Sequence, residues 1–109
     1  MYRISVTEPA ERDIQAVAQY IAGELQNRQA ALRLLDNVEE VISSLKEMPS
    51  RYPLVQDEIL SASGIRFCSV QNYLVFYAIR EKSKTVVIER FLYGKRDWNA
   101  ILRGNDRCE

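Results

Sequence analysis

Between Gly64 and Tyr93 the chain holds three β-type runs separated by connectors of only two and three residues, Gln71-Asn72 and Lys82-Ser83-Lys84. Connectors this short join only antiparallel neighbours, because a parallel crossover needs a dozen residues or more. Asn72 tolerates the positive φ that a tight hairpin turn demands. In the first run Ile65, Phe67 and Ser69 point one way and Arg66, Cys68 and Val70 the other. In the second, Tyr73, Val75, Tyr77 and Ile79 share a face opposite Leu74, Phe76 and Ala78. In the third, alternation sets Val86, Ile88, Arg90 and Leu92 against Val87, Glu89, Phe91 and Tyr93. A central run that is apolar on both faces predicts a strand covered on both sides, or covered on one and used for binding on the other.

The N-terminal half supplies material to cover such a sheet. Tyr2, Ile4 and Val6 alternate with polar residues as in a short strand. Thr7 is a good N-cap, and Glu8 and Pro9 suit a first helical turn. The helix that follows carries Ile14, Val17, Ala18, Ile21 and Leu25 on one stripe, with Gly23 weakening its end and Gln26-Asn27-Arg28 as connector. A second helix is expected from Gln29 to Glu47 or Met48. Its stripe is Ala31, Leu34, Leu35, Val38, Val41, Ile42, Leu45 and Met48, and Pro49 stops it. The short connector implies an antiparallel helical hairpin. Ser50–Ser63 is polar and irregular, long for a connection in a small domain, and so a candidate for mobility or function. Beyond the third run, Asp97 is placed to N-cap a last short helix whose Trp98, Ile101 and Leu102 pack back on the sheet. The expected fold is α+β, in the order β-α-α-β-β-β. An N-terminal strand and helical hairpin pack on an antiparallel meander, with a short C-terminal helix. Residues 1–103 form one domain and 104–109 a polar tail that should fray.

Composition narrows the chemistry. A chain of 109 residues supports a single core. No apolar run approaches the roughly 20 residues of a membrane span, and the N-terminus lacks a signal-peptide core, which points to the cytoplasm. There is no histidine, so acid–base chemistry would fall to Glu, Asp, Lys, Arg or Tyr. Cys68 and Cys108 have no metal or disulfide spacing, and neither a metal nor a cofactor is expected. Cys68 reads as a small buried side chain. The zero net charge conceals a division: residues 1–60 carry six bases and ten acids, residues 61–109 nine bases and five acids. A basic half of this kind suits an anionic or acidic partner.

In element order and in two motifs the chain resembles the RelE/ParE superfamily of toxins from bacterial type II toxin–antitoxin modules, also called plasmid stabilisation proteins. One motif is Gly64-Ile65-Arg66-Phe67 followed by Val70 and Tyr73-Leu74-Val75-Phe76-Tyr77; the other is Leu92-Tyr93-Gly94-Lys95-Arg96-Asp97. Pro9-Ala10, Asp13, Ile14 and Tyr20-Ile21 fit the first helix of that superfamily. The resemblance covers nearly the whole chain. It implies one architecture with two activities: RelE-like members cleave mRNA in the ribosomal A site, and ParE-like members inhibit DNA gyrase. In both, the resemblance implies a cognate antitoxin that lays an extended segment and helices over the sheet and hairpin. An exposed meander edge and a basic C-terminal half suit such a partner.

Ribosome-dependent mRNA cleavage needs a base for the ribose 2′-OH, cations for the phosphorane-like charge and an acid for the leaving oxygen. Arg66, Lys95 and Arg96 are the candidates for charge, with Tyr93 or Glu89 for proton transfer. The resemblance aligns Arg96 with the arginine that RelE-like nucleases keep after the last strand's glycine, so Arg66 and Arg96 would be the catalytic residues of an endoribonuclease. For binding a target, the candidates are Lys95, Arg96, Arg66 and Tyr93. Lys95-Arg96 is the strongest, since a turn needs neither charge. Arg66 could instead pair with Asp97 or Glu89 across the sheet, and Tyr73 and Tyr77 read as packing. Two departures count against cleavage. Leu74 stands where the most active ribosomal nucleases carry an arginine, and Ile101-Leu102 where they present a tyrosine. Leu74 within Tyr-Leu-Val-Phe-Tyr is ParE-like. The expectation is a growth-arresting toxin acting on gyrase or another non-nucleolytic target. The alternatives are a RelE-like mRNA endoribonuclease, and an inactive member that only binds a partner.

Overall fold

The computed structural model describes residues 1–103; the expected polar tail, 104–109, lies outside the described residues. Its elements are β1 (Arg3–Val6), α1 (Glu8–Gln19), α2 (Arg28–Ser44), α3 (Glu58–Ala62), β2 (Arg66–Val70), β3 (Tyr73–Arg80), β4 (Thr85–Tyr93) and α4 (Trp98–Leu102). The three runs form the expected antiparallel meander, and β1 joins it parallel to β4, giving the order β1-β4-β3-β2. Only a strand far away in sequence can pair in parallel, and here the helices together with β2 and β3 lie between the two partners.

Local chemistry explains the helix ends. Thr7 Oγ1 accepts from the Ala10 amide at the start of α1, Asn27 Oδ1 from Ala30 at the start of α2, and Asp97 Oδ1 from Ala100 at the start of α4. α1 does not run on to Leu25. At Tyr20–Glu24 it widens into a π turn, in which the Leu25 amide reaches back to the Tyr20 carbonyl (3.2 Å). Gly23, a poor helix former, lies in that turn. Leu25 is consequently exposed (56 %) instead of completing the core stripe. α2 stops at Ser44, short of the expected end. Met48 takes a left-handed φ of 51° and points to solvent, while Pro49 is buried.

The sheet is covered on both faces. On the hairpin side Ala10, Leu34, Val38 and Leu45 meet Cys68, Val70, Val75, Tyr77, Val86, Ile88 and Phe91. On the other side Phe76, Ala78 and Leu92 are covered by Val55, Leu60, Ile65 and the α4 residues Trp98, Ile101 and Leu102. Each large side chain so buried contributes roughly 1.5–3 kcal/mol. Strict alternation in β4 fails at mid-strand. Phe76 pairs with Arg90 and Tyr77 with Ile88, leaving Glu89 as the extra residue of a bulge. One inserted residue turns everything beyond it to the other face. Ile88 and Phe91 therefore share the hairpin core, while Arg90 and Leu92 lie on the opposite side.

Ser50–Ser63 is structured. Pro49–Arg51 form a 3₁₀ turn, Leu54 bridges Arg66, and the Val55 amide bonds the Ile65 carbonyl (3.0 Å). Asp57 caps α3 through the amides of Ile59 and Leu60. Val55 and Leu60 are the apolar anchors, both buried. Gly64, at φ 81°, reverses the chain into β2 where a side chain would be strained.

Candidate functional site

A groove of about 960 Å³ opens on the sheet face opposite the hairpin. Ala78, Arg80, Glu89 and Arg90 form its floor. Thr7, Pro9, Arg12 and Asp13 make one wall, and Ile59, Leu60, Ser63, Ile65, Ile101 and Leu102 the other. One wall is thus polar and the other apolar.

The polar wall exists because β1 ends before β4 does. Val6 pairs with Ile88, and among the described residues the β4 edge beyond it has no strand beside it. Side chains of α1 and its cap take the strand's place. Thr7 Oγ1 donates to the Glu89 carbonyl (2.9 Å), and Asp13 Oδ2 accepts the Phe91 amide (3.1 Å). Asp13 also takes a forked pair from Arg90, Nε to Oδ2 at 2.6 Å and Nη2 to Oδ1 at 3.0 Å. Both side chains are largely covered (14 % and 20 % exposed), so this bidentate pair has little competition from water.

The residues singled out from sequence do not assemble into one site. Arg66 lies on β2 opposite Tyr77, and its Nη1 donates to the carbonyls of Ser50 (3.2 Å) and Tyr52 (2.6 Å). It ties the 50s segment to the sheet edge; its hydrogen-bond partners are these carbonyls, not Asp97 or Glu89. Gly94-Lys95-Arg96 follows Tyr93, which pairs with Tyr73 at the other end of β3. Tyr73 and Tyr77 are four positions apart, about 13 Å of strand, so Arg66 and the basic turn stand well apart along the sheet. Lys95 and Arg96 are exposed, and neither side chain has a hydrogen bond or ion pair among the described residues. The turn's own bonds are backbone ones, Arg96 N to Tyr93 O and Trp98 N to Arg96 O. Gly94 is there for space: its amide bonds Asn72 O (2.9 Å), and a Cβ would meet that oxygen at 3.2 Å.

Tyr93, 39 % exposed, stands edge-on to Tyr73, which stacks on Phe91. Burial first, then the neighbouring Tyr93 and Tyr20, pushes the Tyr73 phenol up, in keeping with a packing role. Tyr77 is wholly buried and donates its hydroxyl to the Pro49 carbonyl. Glu89 is the bulge residue at the groove floor, half-buried. Leu74, Ile101 and Leu102 pack into the second core cluster. Sequence reasoning missed Arg12, Arg80 and Arg90 as groove residues. Their one local signal was Arg90, which with Glu89 forms a pair of charges inside a mostly apolar strand.

The profile of the ParE toxins of type II toxin–antitoxin systems (parDE) matches residues 4–98. The chain belongs to this family. It is a toxin of the type II toxin–antitoxin class, as the two sequence motifs implied. Solved structures share its fold at low identity. The toxin of a chromosomal ParDE system from P. aeruginosa superposes with a TM-score of 0.69 at 17 % identity, covering 85 % of this toxin and 96 % of that chain. The RelBE2 toxin–antitoxin complex of Mycobacterium tuberculosis gives 0.63 at 23 % identity, covering 84 % and 96 %. The isolated E. coli RelE toxin gives 0.59 at 11 % over the full length of both chains. Identities this low speak for the shared fold alone. No curated protein sequence matches the toxin.

Proposed function

We propose that this toxin arrests growth through a non-nucleolytic protein target, DNA gyrase being the first to test, and that a cognate antitoxin neutralises it in the cytoplasm. The observation that carries this reading is the packing of Leu74, Ile101 and Leu102. At positions where the ribosomal nucleases of the superfamily present charged or phenolic groups, this toxin carries apolar side chains, half-buried against the second core cluster. Lys95 and Arg96, exposed beside Tyr93, are its surface for target contact. Arg66, held by two carbonyls, is a lesser contributor to that surface. An antitoxin partner is supported by relatives of the same fold solved as a ParDE system and as a RelBE2 complex. Among the described residues no helix is long and apolar enough to cross a membrane.

The test is supercoiling by purified gyrase with increasing toxin, alongside translating ribosomes carrying a defined mRNA. Blocked supercoiling with intact mRNA is expected. Normal supercoiling with A-site cleavage would replace this reading with the RelE-like one. If neither occurs and expression fails to arrest growth, the protein is a partner-binding member only.

A further inference from the structure

We propose that the β1 edge of the sheet pairs with the same edge of a second copy, so that the free toxin forms a two-fold symmetric dimer. Arg3 and Thr7 donate their amides to the Lys84 and Ile88 carbonyls of the β4 segment (2.8 and 3.1 Å). Successive residues of a strand turn their backbone groups to opposite sides, so Ile4 and Val6 present their amides and carbonyls away from β4. Among the described residues no strand lies beyond them. At the opposite edge of the sheet the 50s segment runs along the start of β2, where the Phe67 amide bonds Pro53 O (3.2 Å). β1 is the less protected edge, and it carries neither a proline nor a bulge. Such an edge is a template for another strand.

A hollow of about 290 Å³ borders this edge. Ile4 and Val6 line it from β1, and Glu39, Ile42, Ser43 and Lys46 from α2 and the turn after it. Its rim carries one acid and one base, so it has no excess charge to attract a strongly acidic or basic partner. Glu39 and Lys46 stand seven positions apart, two helical turns or about 10 Å, with Ile42 and Ser43 midway. Neither charged side chain has a hydrogen bond or ion pair among the described residues. The Tyr2 amide bonds Lys46 O (3.0 Å), which places Lys46 by the start of β1 and Glu39 toward its end.

This pattern is complementary to itself. With Ser5 on the two-fold axis, Ile4 lies opposite Val6 of an antiparallel second copy, and Val6 opposite its Ile4. Each such pair exchanges two backbone bonds. Ser5 is then the strand residue facing itself, and Arg3 falls opposite Thr7, so no like charges oppose one another. The second copy's Val6, set beside Ile4, brings its Glu39 toward Lys46 of the first, and the symmetric pair follows. The apolar side chains of both strands meet across the two hollows. A formal net charge of zero adds no long-range repulsion between copies. β1 pairs with Thr85–Ile88, whereas Lys95 and Arg96 follow the far end of β4, so the dimer leaves both basic turns exposed. The proposal therefore does not depend on which target the toxin has.

The test uses full-length toxin free of antitoxin, in sedimentation velocity over a wide concentration range and in amide hydrogen exchange by NMR. Wild type should pass from monomer to dimer, and the Ile4 and Val6 amides should gain protection as it does. Glu39→Lys and Lys46→Glu each turn two attractions into two repulsions and should weaken self-association about tenfold. An equimolar mixture of the two variants should dimerise like wild type, because each then faces the opposite charge on the other. Both positions are exposed, so thermal midpoints measured on dilute monomer should stay unchanged. Toxin that stays monomeric at every concentration would overturn the proposal. So would a dimer that ignores both reversals, a mixture that fails to recover, or Ile4 and Val6 exchange that is the same at low and high concentration. Protection of those two amides by added antitoxin alone, in a toxin that never dimerises, would assign the edge to the antitoxin instead.

Discussion

Asp13 and Arg90 lie 77 residues apart in the chain, and their carboxylate and guanidinium meet at 2.6 Å. The same carboxylate accepts the amide of Phe91, so one side chain of α1 closes the edge of β4 where β1 has run out. It also stands just past the bulge at Glu89, where the strand changes which residues face the hairpin.

Replacing Asp13 with Ala removes three hydrogen bonds at once and leaves a largely covered amide and guanidinium without this partner. The expected cost is about 2–4 kcal/mol, between that of a surface pair and that of a fully buried one. Urea unfolding measures it directly. A midpoint within error of wild type would mean that water replaces the carboxylate at no cost.

Asp57 ties α3 to the end of α4. Its carboxylate accepts from Arg103 Nε (2.9 Å), and its side chain is 3 % exposed. Burial opposes its ionisation, but Arg103 and the amides of Leu60 and Ile59 outweigh that and hold the carboxyl below its ordinary 3.8. A carboxyl whose folded-state value is depressed stabilises the fold above its unfolded value. That contribution fades as pH falls through 3.8 and below. Trp98, the chain's only tryptophan, packs on Phe76 with ring centroids 5.2 Å apart and reports on α4. Its fluorescence should change in this acid range in wild type, and the change should be smaller in Asp57→Asn. An identical acid transition in the variant would place the titrating group elsewhere.

Cys68 is buried against the hairpin, and burial pushes its thiol up to about 11, only partly offset by Arg51. At pH 8 about one molecule in a thousand would carry the reactive thiolate. In a Cys108→Ser background, which removes the thiol beyond the described residues, a disulfide reagent should label the folded toxin slowly and the denatured toxin at once. Rapid labelling of the folded protein would contradict the packing of β2.

Reversing both charges of the basic turn, Lys95→Glu with Arg96→Glu, should reduce growth arrest at least tenfold while shifting stability by no more than about 0.5 kcal/mol. The turn is held by backbone bonds from Tyr93 to Trp98, which the substitutions leave in place. Undiminished arrest by a stably folded variant would remove these two residues from the target surface.

What the sequence by itself determined is what depends on near neighbours. The meander followed from connectors too short for any other pairing. The caps at Thr7 and Asp97 followed from an oxygen three residues before an unpaired amide, and the family from two motifs in order. Tertiary structure decided the rest. The bulge at Glu89, which sends Phe91 to one face and Leu92 to the other, is invisible to an alternation rule that both faces of an apolar strand satisfy. Arg66 looked like a site residue because its carbonyl partners at Ser50 and Tyr52 lie in a segment with no periodicity to place it. Asp13 was legible only as one polar position on a helix. Its partner and the edge it closes are set by where β1 stops along β4, a length mismatch between strands more than seventy residues apart that no local pattern records.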